Sequence, residues 1–194
     1  MGSNLAQKYC KYLFTSCIWY YKIIYNALNY GMIRVNDAAG TVTDIRLVQA
    51  IAQQTWPVAY QGILTEAQIK YMLHLLYATP VLQQAFESGS FAFSRLKNNT
   101  TGFVHYELSA PDTVKLQKLY VLPGYQQTGS GRALVQHVAQ QAREASATQM
   151  VLRVNRHNPA RAFYQRLGFG ISHEEVTDIG AGYVMDDYVM VRPL

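Results

Sequence analysis

From Leu119 to Ala142 an apolar strand runs straight into a glycine turn and then into an amphipathic helix, and this junction limits the possible folds more than any other stretch. Leu119, Tyr120, Val121 and Leu122 lead into Pro123-Gly124, then Gly129 and Gly131. From Ser130 onward Leu134, Val135, Val138, Ala139 and Ala142 recur at helical spacing. A near-continuous apolar run over residues 149–154 follows and suits an interior strand. Strand, helix and strand in that order make a crossover unit, so the chain needs a sheet with at least one parallel pair, covered by helices.

The flanking segments extend this pattern. Residues 41–48, with Val42, Ile45 and Leu47 among polar neighbours, predict a short first strand. Helical spacing takes over at Gln49 and runs through Trp56-Pro57 to Tyr60. Thr65 is an N-cap for a second helix carrying Ile69, Met72, Leu75 and Leu76, and Pro80 opens a third that ends near Glu87. The period then changes to two. Residues 91–96, 102–108 and 114–121 read as strands, separated by turn clusters at 97–100 and 109–112. Asn158-Pro159 opens a helix that stops at Gly168, and residues 169–176 and 183–191 form a closing hairpin around Gly180-Ala181-Gly182. The expected class is mixed α/β: a twisted mixed sheet of six to seven strands flanked by about four helices.

Composition narrows the function classes. With 49% apolar and 15% charged residues the chain can build a core, which excludes wholesale disorder. Cys10 and Cys17 stand seven apart, about 10 Å along a helix and too far for a disulfide. No Cys/His cluster has zinc-ligand spacing. The net charge of +5 is concentrated at one end: residues 1–31 hold Lys8, Lys11 and Lys22 and no acid, leaving 14 basic against 12 acidic residues in the rest. So balanced a body lacks the basic stripe of a nucleic-acid binder.

Residues 9–30 carry six of the fifteen tyrosines, but Lys22, Asn26 and Asn29 interrupt the apolar run before it reaches the roughly 20 residues of a membrane span. No small-residue cleavage site follows it. Residues 1–38 are expected to be an extension, with Met1-Gly2-Ser3 reading as an added start and Met32 as an original one. An aromatic helix docking on the domain or on a neighbouring chain is expected there, the alternative being a membrane-surface anchor. Residues 36–40 read as a linker and residues 39–194 as the domain, with the cytoplasm as the expected location.

Unpaired N–H groups at a helix start lie at the positive end of its dipole, so a glycine turn that opens a helix is an anion site. Glycines let phosphate oxygens reach the main chain. Two common phosphate loops are excluded. A nucleoside-triphosphate loop needs Lys-Ser/Thr after its last glycine, whereas Gly129 is followed by Ser130-Gly131; the dinucleotide fingerprint needs a third glycine where Leu134 stands. What remains, Gln126-x-x-Gly129-x-Gly131, resembles the (Arg/Gln)-x-x-Gly-x-(Gly/Ala) pyrophosphate signature of the GNAT N-acetyltransferase superfamily. The run from Asn155 through Asn158-Pro159-Ala160 and Phe163-Tyr164 to Gly168-Phe169 resembles the Asn…Ala-x-x-Phe-Tyr-x-x-x-Gly-Phe block of the same superfamily. Over residues 41–194 the chain is identified as a member, with further similarity to bacterial members at residues 118–123 and 178–188.

The resemblance implies the GNAT fold, splayed between its fourth and fifth strands, with acetyl-CoA bound in the cleft. It implies that Leu119, Tyr120 and Val121 offer main-chain groups to the pantetheine arm as to an added strand. Next to Gln126, the amides of Gln127, Thr128, Gly129, Ser130, Gly131 and Arg132 would take the pyrophosphate, while Asn155, Asn158 and Phe163 face the cofactor. Arg132 or Arg166 either meets the nucleotide phosphates or is a solvated surface arginine. Tyr164, at the superfamily's tyrosine position, is the expected proton donor to the departing thiolate.

Moving an acetyl group from sulfur to an amine sets physical needs. A lysine-like amine is neutral in only about one molecule in 2,500 at pH 7, so its proton must be removed. The carbonyl oxygen that gains charge needs a donor, expected at a main-chain amide near Tyr120. At the position where some relatives carry an acid or histidine stands Gln117, which is no base. Glu107, sharing a strand face with His105, is left as a weak candidate acting through ordered water.

Trp56, Tyr60, Tyr71 and His74 are expected on the acceptor side. Of the adjacent Asp186 and Asp187 one alone can face the cleft. Either that inward carboxylate, expected to be Asp187, attracts a cationic amine such as a small polyamine, or the pair guards a sheet edge with charge. The expected activity is therefore acetyl transfer from acetyl-CoA to a primary amine by direct attack in a ternary complex. The competing expectation is a non-catalytic acyl-CoA-binding module of the same fold. No metal, nucleic acid or membrane span is expected, and a homodimer is left open.

Overall fold

The computed structural model describes residues 32–194, so the expectations for residues 1–31 lie outside the described residues. The elements, in chain order, are β1 (Ile33–Asp37), α1 (Val42–Ala59), α2 (Glu66–Tyr77), α3 (Thr79–Ser88), β2 (Ser90–Leu96), β3 (Asn99–Ala110) and β4 (Thr113–Val121). A short 3-10 turn (Pro123–Tyr125) follows, then α4 (Ser130–Glu144), β5 (Gln149–Asn155), α5 (Ala160–Arg166), β6 (Gly170–Gly180) and β7 (Tyr183–Pro193). The seven strands form one sheet in the order β1-β2-β3-β4-β5-β7-β6. Among the described residues the one parallel pair is β4–β5, the two strands joined by the crossover through α4.

Each face of the sheet has its own core. On one, α4 lays Leu134, Val135, Val138, Ala139 and Ala142 against Val104, Leu116, Met150 and Leu152, as its spacing predicts. On the other, Ile45, Val48, Ile51 and Trp56 of α1 meet Phe91, Phe93 and Phe103 of the meander. Among the described residues no helix is long and apolar enough to cross a membrane, and no group of three or more His, Cys, Asp or Glu is placed to hold a metal ion.

Two expectations at the start of the domain are corrected. Residues 41–48 do not form a strand but open α1. Thr41 caps the helix: its Oγ1 accepts the Asp44 N–H at 3.1 Å, and the Asp44 carboxylate accepts the Thr41 N–H in return, also at 3.1 Å. That reciprocal pair satisfies two helix-start donors and overrides the local alternation. Burial follows the three-and-four spacing: Val42 is 63% exposed, while Ile45, Val48, Ile51 and Ala52 are buried. The sheet's first strand comes earlier, where a linker was expected, with Asn36 opposite Phe93 and Asp37 opposite Ala92. An edge strand is held by its main chain, so its polar side chains do not betray it. At the start of α5 the Asn158 side chain caps as expected, accepting the Ala160 N–H at 2.9 Å, and Pro159 already has helical dihedrals.

Candidate active site

The β4–β5 pairing is short. It joins 113–116 to 149–152 and stops, while β4 runs on to Val121 and β5 to Asn155. The strands separate at Gln117, which is an extra residue in the β3–β4 ladder: Tyr106 is opposite Leu116 and His105 opposite Lys118, so Gln117 has no partner. Such a bulge bends a strand and sharpens its twist. Past it, the main chain of Leu119, Tyr120 and Val121 is paired with β3 on one side and, among the described residues, has no strand on the other.

Beyond Val121 the chain turns through Pro123–Tyr125 and reaches α4 by way of Gln127 and Gly129, both in the left-handed region at φ 65° and 95°. The N–H groups of Gly129, Ser130, Gly131 and Arg132 precede the first intrahelical bond, from Ala133 N–H to Gly129 O, and no side chain caps them. A Cβ at Gly129 would meet nothing within 4 Å, so there is open space at the turn that carries these amides. One at Gly131 would lie 3.1 Å from the Phe163 ring, which walls the other side. A row of hydroxyls holds the helix start in place: Thr128 to Ser130 (2.9 Å), Ser130 to Thr101 (3.0 Å) and Thr101 to Ser94 (2.8 Å). A cradle of aligned, unpaired amides with room in front fits a diphosphate. Gln126, Gln127 and Arg132 are exposed in and beside this turn, and Arg166 is exposed at the end of α5.

Where the strands part lies a cavity of about 240 Å³. Trp56, Tyr60, Tyr77 and Tyr120 line one part of it; Trp56 packs on Tyr60 at 4.7 Å between ring centres and donates its ring N–H to the Tyr77 hydroxyl at 3.1 Å. Burial keeps the hydroxyls of Tyr60, Tyr77 and Tyr120 protonated by raising their pKa values. Asn155 and Asp187, opposite each other in the β5–β7 register, supply the polar wall. Asn155 accepts the His157 N–H at 3.0 Å, which fixes its orientation.

The two adjacent acids part company as alternation requires. Asp186 points outward to Arg156, 2.9 Å away, whose guanidinium also holds Glu174. Asp187 points into the cavity, is 8% exposed, and its Oδ1 has no hydrogen-bond partner. Burial pushes its pKa up to about 6, opposed by Arg153 and reinforced by Glu175 and Asp186.

Tyr164 is buried among Phe163 and Phe169, at 5.1 and 5.8 Å between ring centres, and burial raises its pKa, so its hydroxyl stays protonated. The other expected acceptor residues are divided. Trp56 and Tyr60 line the cavity, but Tyr71 and His74 do not. Tyr71 donates to Ile179 O at 2.7 Å and so ties α2 to the β6–β7 hairpin, and His74 is exposed on α2. Glu107 stands behind Gln117, whose amide donates to it. His105 is 4% exposed and stacked on Phe91; burial, with the charge of Lys118, pushes its pKa down to about 3, so it stays neutral. Sequence reasoning missed Tyr77, Lys115, Lys118 and Arg153 on the cavity wall. The bulge that brings Gln117 and Lys118 to the same wall leaves no mark in composition or period.

The model of the acetyltransferase (GNAT) family matches residues 49–169. Uncharacterized N-acetyltransferases of Mycobacterium bovis and Mycobacterium tuberculosis are 30% identical to the chain over 156 residues, covering 79% of it and 99% of each relative. Among solved structures, the PaiA N-acetyltransferase of Thermoplasma acidophilum, in complex with coenzyme A, superposes with a TM-score of 0.72 at 20% identity, over 84% of this chain and 99% of that one. A GCN5-related N-acetyltransferase from Rhodopseudomonas palustris gives 0.73 at 16% identity, over 85% and 98%.

Proposed function

The chain belongs to the acetyltransferase (GNAT) family, whose acetyl donor is acetyl-CoA, and from that premise we propose that it acetylates a primary amine by direct attack within a ternary complex. The observation that carries this reading is Asp187, a buried carboxylate without a partner, set beside Asn155 in the cavity where β4 leaves β5. Bound acetyl-CoA supplies an activated acyl group on sulfur; everything else falls to the protein.

The amides of Gly129 to Arg132, with Gln127 and Thr128, hold the pyrophosphate, and the free edge of Leu119–Val121 receives the pantetheine arm as a strand would. Asp187 accepts the amine proton. With a pKa near 6 it is mostly ionised at pH 7 yet more basic than a solvated carboxylate, a good match for general-base work. It takes this role from Glu107, which is occupied by Gln117. A main-chain amide near Tyr120 donates to the carbonyl oxygen as charge develops there, and Tyr164 donates its proton to the departing sulfur.

Release of free thiol from acetyl-CoA across a panel of amines, with calorimetry of coenzyme A binding, tests this directly. Transfer that disappears in Asp187→Asn while coenzyme A still binds supports it. Binding with no transfer to any amine favours the non-catalytic module, and no binding removes the cradle.

A further inference from the structure

We propose that the acceptor is a small amine that also carries an anionic group, its amine received by Asp187 on the β5–β7 wall and its anion by Lys115 and Lys118 on the β4 wall. This rests on the acetyltransferase reading and specifies the substrate class of the same cavity.

The first observation is a pair of cations that form no ion pair among the described residues. Lys115 and Lys118 both line the cavity. Among the described residues the ion pairs are His137 with Asp37, Arg153 with Glu175, and Arg156 with Glu174 and Asp186; neither lysine has one. Glu107, the carboxylate nearest in register, accepts from the Gln117 amide and acts on both lysines without pairing with either, raising their proton affinity by less than burial lowers it. A cation removed from water without a partner is costly, and burial lowers the proton affinity of both ammonium groups. An anion in the cavity relieves that cost. Lys118 is also steadied by the Tyr77 ring, 5.8 Å from its ammonium nitrogen.

The second observation is the opposite polarity across the splay. Asp187, on the strand beside β5, presents an unpartnered oxygen to the same space. Arg153, on the acid's side, is held by Glu175, so the unpaired charges are cations on one wall and an acid on the other, complementary to a dipolar solute whose amine is directed to the base. Met72, Leu76, Ile179 and Met185 complete the lining and suit an apolar body. A polyamine satisfies Asp187 but brings further positive charge to Lys115 and Lys118.

A carboxylate and a phosphate share this chemistry, and the experiment separates them. Acetyl transfer is compared for leucine, O-phosphoethanolamine, isopentylamine (leucine without its carboxylate) and spermidine, and binding of each is measured by calorimetry in the presence of coenzyme A. Leucine or phosphoethanolamine, whichever anion fits, is expected to exceed isopentylamine in kcat/KM at least about tenfold, the worth of one charge-assisted hydrogen bond. Lys118→Met is expected to cut that ratio about tenfold, and Lys118→Arg to restore most of it. The wild-type comparison needs no variant, so a misfolded K118M leaves the test intact.

Isopentylamine or spermidine equal to or better than both anionic amines overturns the proposal while leaving acetyl transfer standing. The same holds if K118M leaves the ratio unchanged. Anion-dependent binding with no transfer to any amine sinks the catalytic reading instead. If neither anionic amine binds or reacts, the proposal falls.

Discussion

Asp187 lies opposite Asn155 in the β5–β7 ladder, and both side chains enter the space vacated where β4 diverges from β5. The pairing places a carboxylate that resists ionisation beside an amide whose orientation is fixed by the His157 N–H. Acting as base, Asp187 must be deprotonated. The rate kcat/KM is therefore expected to rise with pH through about 6, with Arg153, Glu175, Asp186 and Tyr60 as the neighbouring titratable groups. In Asp187→Asn that limb vanishes and kcat falls by about two to three orders of magnitude. A pH–rate profile of both proteins checks this.

The same group should weaken the fold as it ionises. Its native pKa lies above its ordinary value of 3.8, so the native state binds the proton more tightly than the unfolded chain. Stability from this site is complete below about pH 4 and is lost as pH rises through about 6, amounting to about 3 kcal/mol. D187N is expected to melt higher than the wild type at pH 8 and to show no such gain at pH 4. Equal differences at the two pH values would contradict the assignment.

Tyr164→Phe keeps the ring that packs between Phe163 and Phe169 and removes only the hydroxyl. The expected outcome is a kcat lower by about a hundredfold with coenzyme A affinity unchanged, read by steady-state kinetics and calorimetry.

Ser130 joins the row of hydroxyls that runs from Thr128 to Ser94. Ser130→Ala leaves its buried neighbours short of a partner and is expected to cost about 1–3 kcal/mol in urea unfolding. Because the row sets the position of the α4 start, coenzyme A affinity should fall as well.

Gly129→Ala separates strain from steric exclusion. A left-handed alanine costs about 1 kcal/mol of stability. Its methyl meets no protein atom within 4 Å, but it stands in the open space at the turn that carries the amides. Coenzyme A binding is thus expected to weaken by more than tenfold, a larger loss than the change in stability, as measured by calorimetry and denaturation together.

The parts legible in sequence were those with local causes. The α4 stripe from Leu134 to Ala142 is helical by its spacing, and the Gly129 turn is marked by residue type. The start of α1 was misread because Val42, Ile45 and Leu47 mimic alternation, whereas the Thr41–Asp44 reciprocal cap decides the matter. Strand β1 was missed since main-chain pairing with β2 needs no apolar pattern. In the site, alternation says that only one of Asp186 and Asp187 faces the cavity, but the rise in the Asp187 pKa depends on burial that no linear pattern records. Lys115 and Lys118 escaped notice for a different reason: their common wall exists only because Gln117 is looped out of register.

That one looped-out residue separates folding from recognition in β4. Leu116 and Leu119 pack toward α4, while Lys115, Gln117 and Lys118 open on the cavity. Exchanging the second group leaves the hydrophobic inventory untouched, so the lining of this cavity can be rewritten at little cost to the core.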